Sequence, residues 1–125
     1  MTLYERLGGD AAVTGLLDRL YVRALADPLL QPFLENIDIP RLREHQFVFI
    51  SQALGGPHQY SGRSLVEAHA RLAIEKRHFD AFVGHLRDSL AELGAAPDAI
   101  AEIMARVEPL HVAIVNTPSR ATAGG

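Results

Sequence analysis

The sequence predicts an all-α domain, and three observations carry that reading. Apolar residues recur at three- and four-residue spacing along nearly the whole chain, the period of one helix face. No stretch sustains the alternation of a strand. Gly-Gly pairs, single glycines and prolines punctuate the periodic segments.

The elements follow in order. Leu3 and Leu7, followed by Gly8-Gly9, predict a short first helix. Asp10 then reads as the N-cap of a second, with the stripe Val13, Leu16, Leu17, Leu20, Tyr21, Ala24 and Leu25. Asp27-Pro28 ends it, and proline suits the first turn of a short successor. That piece, Leu29 to Leu34, contains Pro32, so it is a turn or a single helical turn. Asp38-Ile39-Pro40 starts the next helix, whose stripe is Leu42, Gln46, Phe49, Ile50 and Ala53. Gly55-Gly56 stops it and opens a Gly/Pro-rich break that runs to Gly62. The short helical patch Ser64 to Leu72 holds His69. A longer helix begins near Lys76, with Phe79, Phe82, Val83, Leu86, Leu90 and Leu93 inward, and ends at Gly94. Pro97 suits the start of a final helix with the stripe Ile100, Ile103, Met104, Val107, His111 and Ile114. Residues 1–116 thus read as one domain of two helix pairs, and residues 117–125, polar and Gly/Ala-ending, as a flexible tail.

Composition narrows the function. Of 125 residues 48% are hydrophobic, enough for a packed core. The net charge of −3 leaves no basic field for a nucleic-acid partner. No apolar run reaches membrane-spanning length and the N-terminus lacks a signal-peptide core, so the expected location is cytoplasmic. Cysteine is absent, which excludes disulfides, thiolate metal sites and thioether haem attachment. A metal must therefore be held by His, Asp or Glu, or arrive inside a cofactor. The candidate histidines are His45, His58, His69, His78, His85 and His111.

Polar groups on apolar stripes are the departures that need explaining. Tyr21 and Gln46 lie on inward faces of long helices, and His69 lies on the short one. A buried amide or phenol without a partner costs about 1–3 kcal/mol. Two donors converging on a pocket would suit a small electron-rich ligand. They would equally suit each other, with the Gln46 oxygen accepting from Tyr21. Singly, each residue is explained without a ligand: a core tyrosine bonded to a carbonyl, a rim glutamine, a surface or core histidine. Other site types lack support. There is no His-Glu-x-x-His, no Gly-x-Gly-x-x-Gly and no P-loop, and the serines near histidines have no nucleophile-elbow setting. His78 and His85 share a face at i, i+7, too far apart for one metal.

The combination resembles a known family, the truncated haemoglobins. The resemblance rests on Leu3-Tyr4-Glu5-Arg6-Leu7-Gly8-Gly9, Leu20 to Asp27, His45-Gln46-Phe47, Ala53-Leu54-Gly55-Gly56-Pro57, Tyr60-Ser61-Gly62, Glu67-Ala68-His69 and Arg77-His78-Phe79. It covers the chain from Thr2 to Val115. It implies a two-over-two helical sandwich around one haem b, with His69 as proximal iron ligand. Tyr21 matches the distal tyrosine that hydrogen-bonds bound dioxygen, and Gln46 the glutamine that supports it. Leu42 matches the place where ordinary globins carry a distal histidine. Phe33 or Leu34 falls where an aromatic packs on the haem, and Leu65, Leu72, His78 and Phe79 fall among its expected contacts. Two of the main groups carry a tryptophan where this chain has Phe82, so the resemblance is to group 1. Phe49 and Ile50 then match gate positions of an apolar tunnel, with core packing as the alternative. In some cyanobacterial relatives the residue matching His45 is a sixth iron ligand, and a histidine near the place of His111 bonds to a haem vinyl. A surface histidine and a packed core histidine are the alternatives here.

The function this implies is reversible binding of dioxygen, nitric oxide or carbon monoxide. Nitric oxide dioxygenation with an external reductase is the leading use, in a monomer or weak dimer. A sensor or store without turnover, resting with two histidines on iron, stays open, as does a haem-free partner-binding module.

Overall fold

The computed structural model describes residues 1–61, 64–70 and 72–116. The tail expected at 117–125, Gly62 of the break and Arg71 of the His69 patch lie outside the described residues. Every regular element among the described residues is helical.

Helix α1 spans Leu3–Leu7 and starts on a capping box between Thr2 and Glu5. Helix α2 spans Gly9–Ala26. Asp10 is not its N-cap, as the sequence suggested. Gly8, at φ 124°, turns the chain sharply enough to begin the helix two residues early. Asp10 falls in the first turn instead, where its carboxylate accepts the Tyr4 hydroxyl. Helix α3 is the single turn Gln31–Leu34. Helix α4 spans Ile39–Ala53, capped by the Asp38 carboxylate on the Arg41 amide at 3.2 Å. After it, Gly56 passes so close to Tyr4 that a Cβ there would lie 2.6 Å from the ring.

Helix α5, Leu65–His69, again starts on a capping box, here Ser64 with Glu67. Helix α6 spans Lys76–Leu93 and ends on Gly94 in the left-handed region at φ 89°. Helix α7 spans Pro97–Val107. The final helix expected to continue through Ile114 is broken there: a 3₁₀ turn, Glu108–Leu110, leads into the separate α8, His111–Ile114. Pro109 is the cause, because it lacks an amide proton and crowds the preceding turn.

Helix α2 is the centre of the packing. It lies against α4 and α6, α6 lies against α7, and α1 bridges α2 and α7. Val13, Leu16, Leu17, Leu20, Val83, Leu86, Leu90 and Ile103 form the dry middle of the core. Each such side chain contributes about 1.5–3 kcal/mol by leaving water. Two residues of the predicted stripes are not inside. Leu25 is 42% exposed, because at the last turn of α2 the buried face has passed to Ala24. Ala53, on the last turn of α4, is also exposed, and its carbonyl receives Arg106 Nη1 at 2.7 Å. No helix is long and apolar enough to cross a membrane among the described residues.

Candidate functional site

The site begins where core packing stops. Helix α4 carries Leu42, Phe47, Val48, Phe49 and Ile50, yet its buried residue is Ser51. A helix whose large apolar residues are all half-buried has a face without a full protein partner. Helix α5 likewise buries no residue completely, and its main packing partner among the described residues is the short α8.

On the α2 side of this face stands Tyr21, 5% exposed. Its hydroxyl donates to Gln46 Oε1, joining α2 to α4. This is the mutual pairing that donor chemistry allowed. Burial raises the Tyr21 pKa, against a smaller lowering by Arg43, so the phenol keeps its proton and stays a donor. Because the Gln46 oxygen accepts that hydrogen bond, its NH₂ group is the one left to donate elsewhere. Arg43, which sequence reading did not single out, lies over the Tyr21 ring at 5.8 Å and pairs with Asp18. It is one turn before Gln46 on α4, but nothing in the apolar period marks it.

On the α5 side stands His69. Its Nδ1 lies 2.7 Å from the Leu65 carbonyl oxygen. A carbonyl can only accept, so Nδ1 carries the proton and Nε2 carries the lone pair. That is the tautomer a metal-ligating histidine needs, and the bond also fixes the ring. No hydrogen bond to Nε2 is made among the described residues. The His69 carbonyl is held in turn by Asn116 Nδ2 at 2.6 Å.

The remaining predicted contacts differ in burial and in the partners they meet. Leu42, Ile50 and Phe82 are half-buried and border the core. Leu34, Leu65 and Leu72 are also half-buried. Phe33 meets His78 edge-on at 4.8 Å, so the aromatic of this pair of positions packs at the base of α6. His78 is buried and accepts the Glu75 amide on Nδ1 at 2.9 Å, with burial lowering its pKa. Phe79 is buried and meets His111 at 6.0 Å. His111 is half-buried and donates from Nδ1 to the Glu108 carbonyl at 2.8 Å. His45 is exposed, directly before Gln46. Phe49 packs edge-on to Tyr60 at 5.3 Å. A groove of about 360 Å³ between α2 and α4 is lined by Thr14, Leu17, Arg43, Glu44, Phe47 and Val48. It includes neither Phe49 nor Ile50 and is not the passage expected at those residues. Among the histidines outside the site, His58 pairs with Asp10 and His85 with Asp27.

The residues present fit a haem. The half-buried apolar residues of α4 suit contact with a flat apolar macrocycle, an imidazole on α5 whose Nδ1 is engaged by a carbonyl leaves Nε2 for iron, and a buried phenol bonded to an amide suits a polar ligand.

Comparison with known proteins agrees. The family model described as bacterial-like globin matches residues 2–116. The group 1 truncated hemoglobin GlbN of Synechocystis is 40% identical over 108 residues, covering 83% of this chain and 87% of the relative. The solved truncated hemoglobin of Tetrahymena pyriformis in its Fe(III) form superposes with a TM-score of 0.89 at 32% identity, covering 94% of this chain and all of that one (100%). The 2/2 hemoglobin of Synechococcus, solved in the cyanomet state with covalently attached heme, gives 0.83 at 36% identity, covering 86% and 91%.

Proposed function

This chain belongs to the truncated haemoglobins of group 1, within the bacterial-like globin family, and on that footing we propose that it removes nitric oxide by dioxygenation to nitrate. The coarser activity comes with the family: it binds haem b and small diatomic ligands, dioxygen among them. Haem b, when bound, supplies the iron that takes up the diatomic ligand.

The chain's own residues account for the rest. His69 Nε2 would hold the iron, and Leu65, Leu72, Phe79, Phe82, Leu42 and the Phe33–Leu34 pair would pack on the macrocycle. The observation that carries the proposal is the Tyr21–Gln46 pair, a buried phenol bonded to a half-buried amide. The Tyr21 hydroxyl and the Gln46 amide would offer a bound dioxygen two neutral donors, in surroundings whose low dielectric would strengthen both. Tyr21 needs only to rotate its O–H from the Gln46 oxygen toward the ligand, and Gln46 can then support it. Dioxygen held this way leaves slowly, which suits reaction with a second small molecule better than delivery. The net change is one dioxygen, one nitric oxide and one electron giving one nitrate. The electron comes from an external reductase, since the chain carries no flavin or nicotinamide motif. Cytoplasmic residence, a functional unit of residues 1–116 and a monomeric or weakly dimeric state complete this reading.

Rapid mixing of the oxygenated protein with nitric oxide tests it. Stoichiometric nitrate, sustained when a reductant is added, is the expected result. Nitric oxide persisting beside the oxygenated protein would sink the proposal and leave a sensor or store. A bis-histidyl resting state through His45 would show as a low-spin spectrum of the ferrous protein without added ligand.

A further inference from the structure

We infer that Asn116 is a positioning residue for His69, fixing the backbone that carries the proximal imidazole from the far end of the chain. This rests on the reading of His69 as the iron ligand.

Helix α5 has five residues, and its last carbonyls, like those of any helix, need partners from outside it. Asn116 adds a second bond to the last of them. Its side-chain Nδ2 donates to the His69 carbonyl at 2.6 Å. Its Oδ1 accepts the Ile74 amide at 3.0 Å. Its own backbone amide donates to the Ile74 carbonyl at 3.1 Å. One residue thus grips both ends of the connection between α5 and α6. Ile74 is 7% exposed and anchors the bracket in the buried part of the fold. The His69 carbonyl also takes the Leu72 amide at 3.0 Å, so Asn116 completes its pair of acceptor sites. On the ring side, His69 Nδ1 is fixed by the Leu65 carbonyl. The imidazole is therefore set by two carbonyl contacts, one local and one supplied from 47 residues away.

Only a side-chain amide presents a donor and an acceptor together at this reach. Aspartate keeps the acceptor for Ile74 and loses the donor, turning a carboxylate oxygen toward the His69 carbonyl. Leucine keeps the volume and loses both.

The test is resonance Raman spectroscopy of the iron–histidine stretch in the ferrous ligand-free holoprotein, for wild type, Asn116→Leu, Asn116→Asp and His69→Gly. The carbon monoxide stretch of each carbonyl complex serves as the distal reporter. A displaced or broadened iron–histidine band in both Asn116 variants, with the distal stretch unmoved, is expected. Haem transfer to a scavenger should also quicken about tenfold, as for other residues that orient a metal-bound histidine. A wild-type band in both variants, or displacement in Asn116→Leu alone, overturns the inference. Movement of proximal and distal bands together overturns it as well, because that is general loosening. The His69→Gly protein should lose the band and regain it with added imidazole. A band that survives that substitution instead overturns the ligand assignment, and this inference with it.

Discussion

The two sides of the site are built to different standards. The tyrosine side is densely packed: Tyr21 sits in the C-terminal half of an 18-residue helix at the centre of the core, flanked by the buried Leu17, Leu20 and Ala24. The histidine side is light: His69 ends a helix of five residues that buries none of them fully and is held by caps and single hydrogen bonds. The donor proposed to meet the diatomic ligand is therefore placed by packing. The group proposed to bind iron is placed by a local framework that haem binding would reinforce, since anything that binds the folded state stabilises it.

The sharpest way to break this contrast is at His69. His69→Ala should lower haem affinity by more than about 100-fold, the upper end for an outer partner of a metal-bound histidine. A Soret titration measures it, and the apoprotein helicity should change little because α5 adds almost nothing to the core. Unaltered haem affinity would place the iron elsewhere.

Next is Tyr21→Phe. A hydrogen bond to a charged group contributes about 1.5–3 kcal/mol, so dioxygen release should quicken by roughly tenfold to a hundredfold. Flash photolysis or stopped flow reads this directly. Haem retention should not move, and a loss of haem here would mean that the two sides are not separable.

An acid shift comes third. Burial holds His78 neutral, and its Nδ1 accepts the Glu75 amide, so its pKa in the fold lies below the ordinary value of 6.5. The unfolded chain takes up that proton first as the pH falls. The stabilisation is present above about 6.5 and is lost as the pH drops through the lower folded value. Urea midpoints should fall from neutral pH to about pH 5, and fall less in His78→Asn, which keeps an acceptor for the amide. Equal losses in both proteins would remove His78 from the account.

The smallest effect is Ser64→Ala, which removes the cap of α5. It should cost about 1 kcal/mol of that helix's stability. Because so little else holds α5, the loss should appear as faster amide exchange confined to residues 65–70, with α2 and α4 unaffected.

The fold was largely legible because helix periodicity, caps and stops act over a few residues. Asp38 before α4, Gly94 after α6 and Pro97 at α7 each did what their chemistry requires. Where reading failed, a local preference met a stronger neighbour. Gly8 displaced Asp10 as the start of α2, and Pro109 interrupted a stripe that the apolar spacing ran straight through.

The sequence by itself determined the helix class, the absence of thiolate chemistry and the anomaly of a tyrosine, a glutamine and a histidine on apolar faces. Tertiary structure alone decided their partners. Tyr21 meets Gln46 across 25 residues, His69 meets Asn116 across 47, and the Arg43 guanidinium comes to lie over the Tyr21 ring. The reason is physical: a period of 3.6 residues tells which side of a helix is apolar, but not which polar atom of a distant segment will complete a hydrogen bond there.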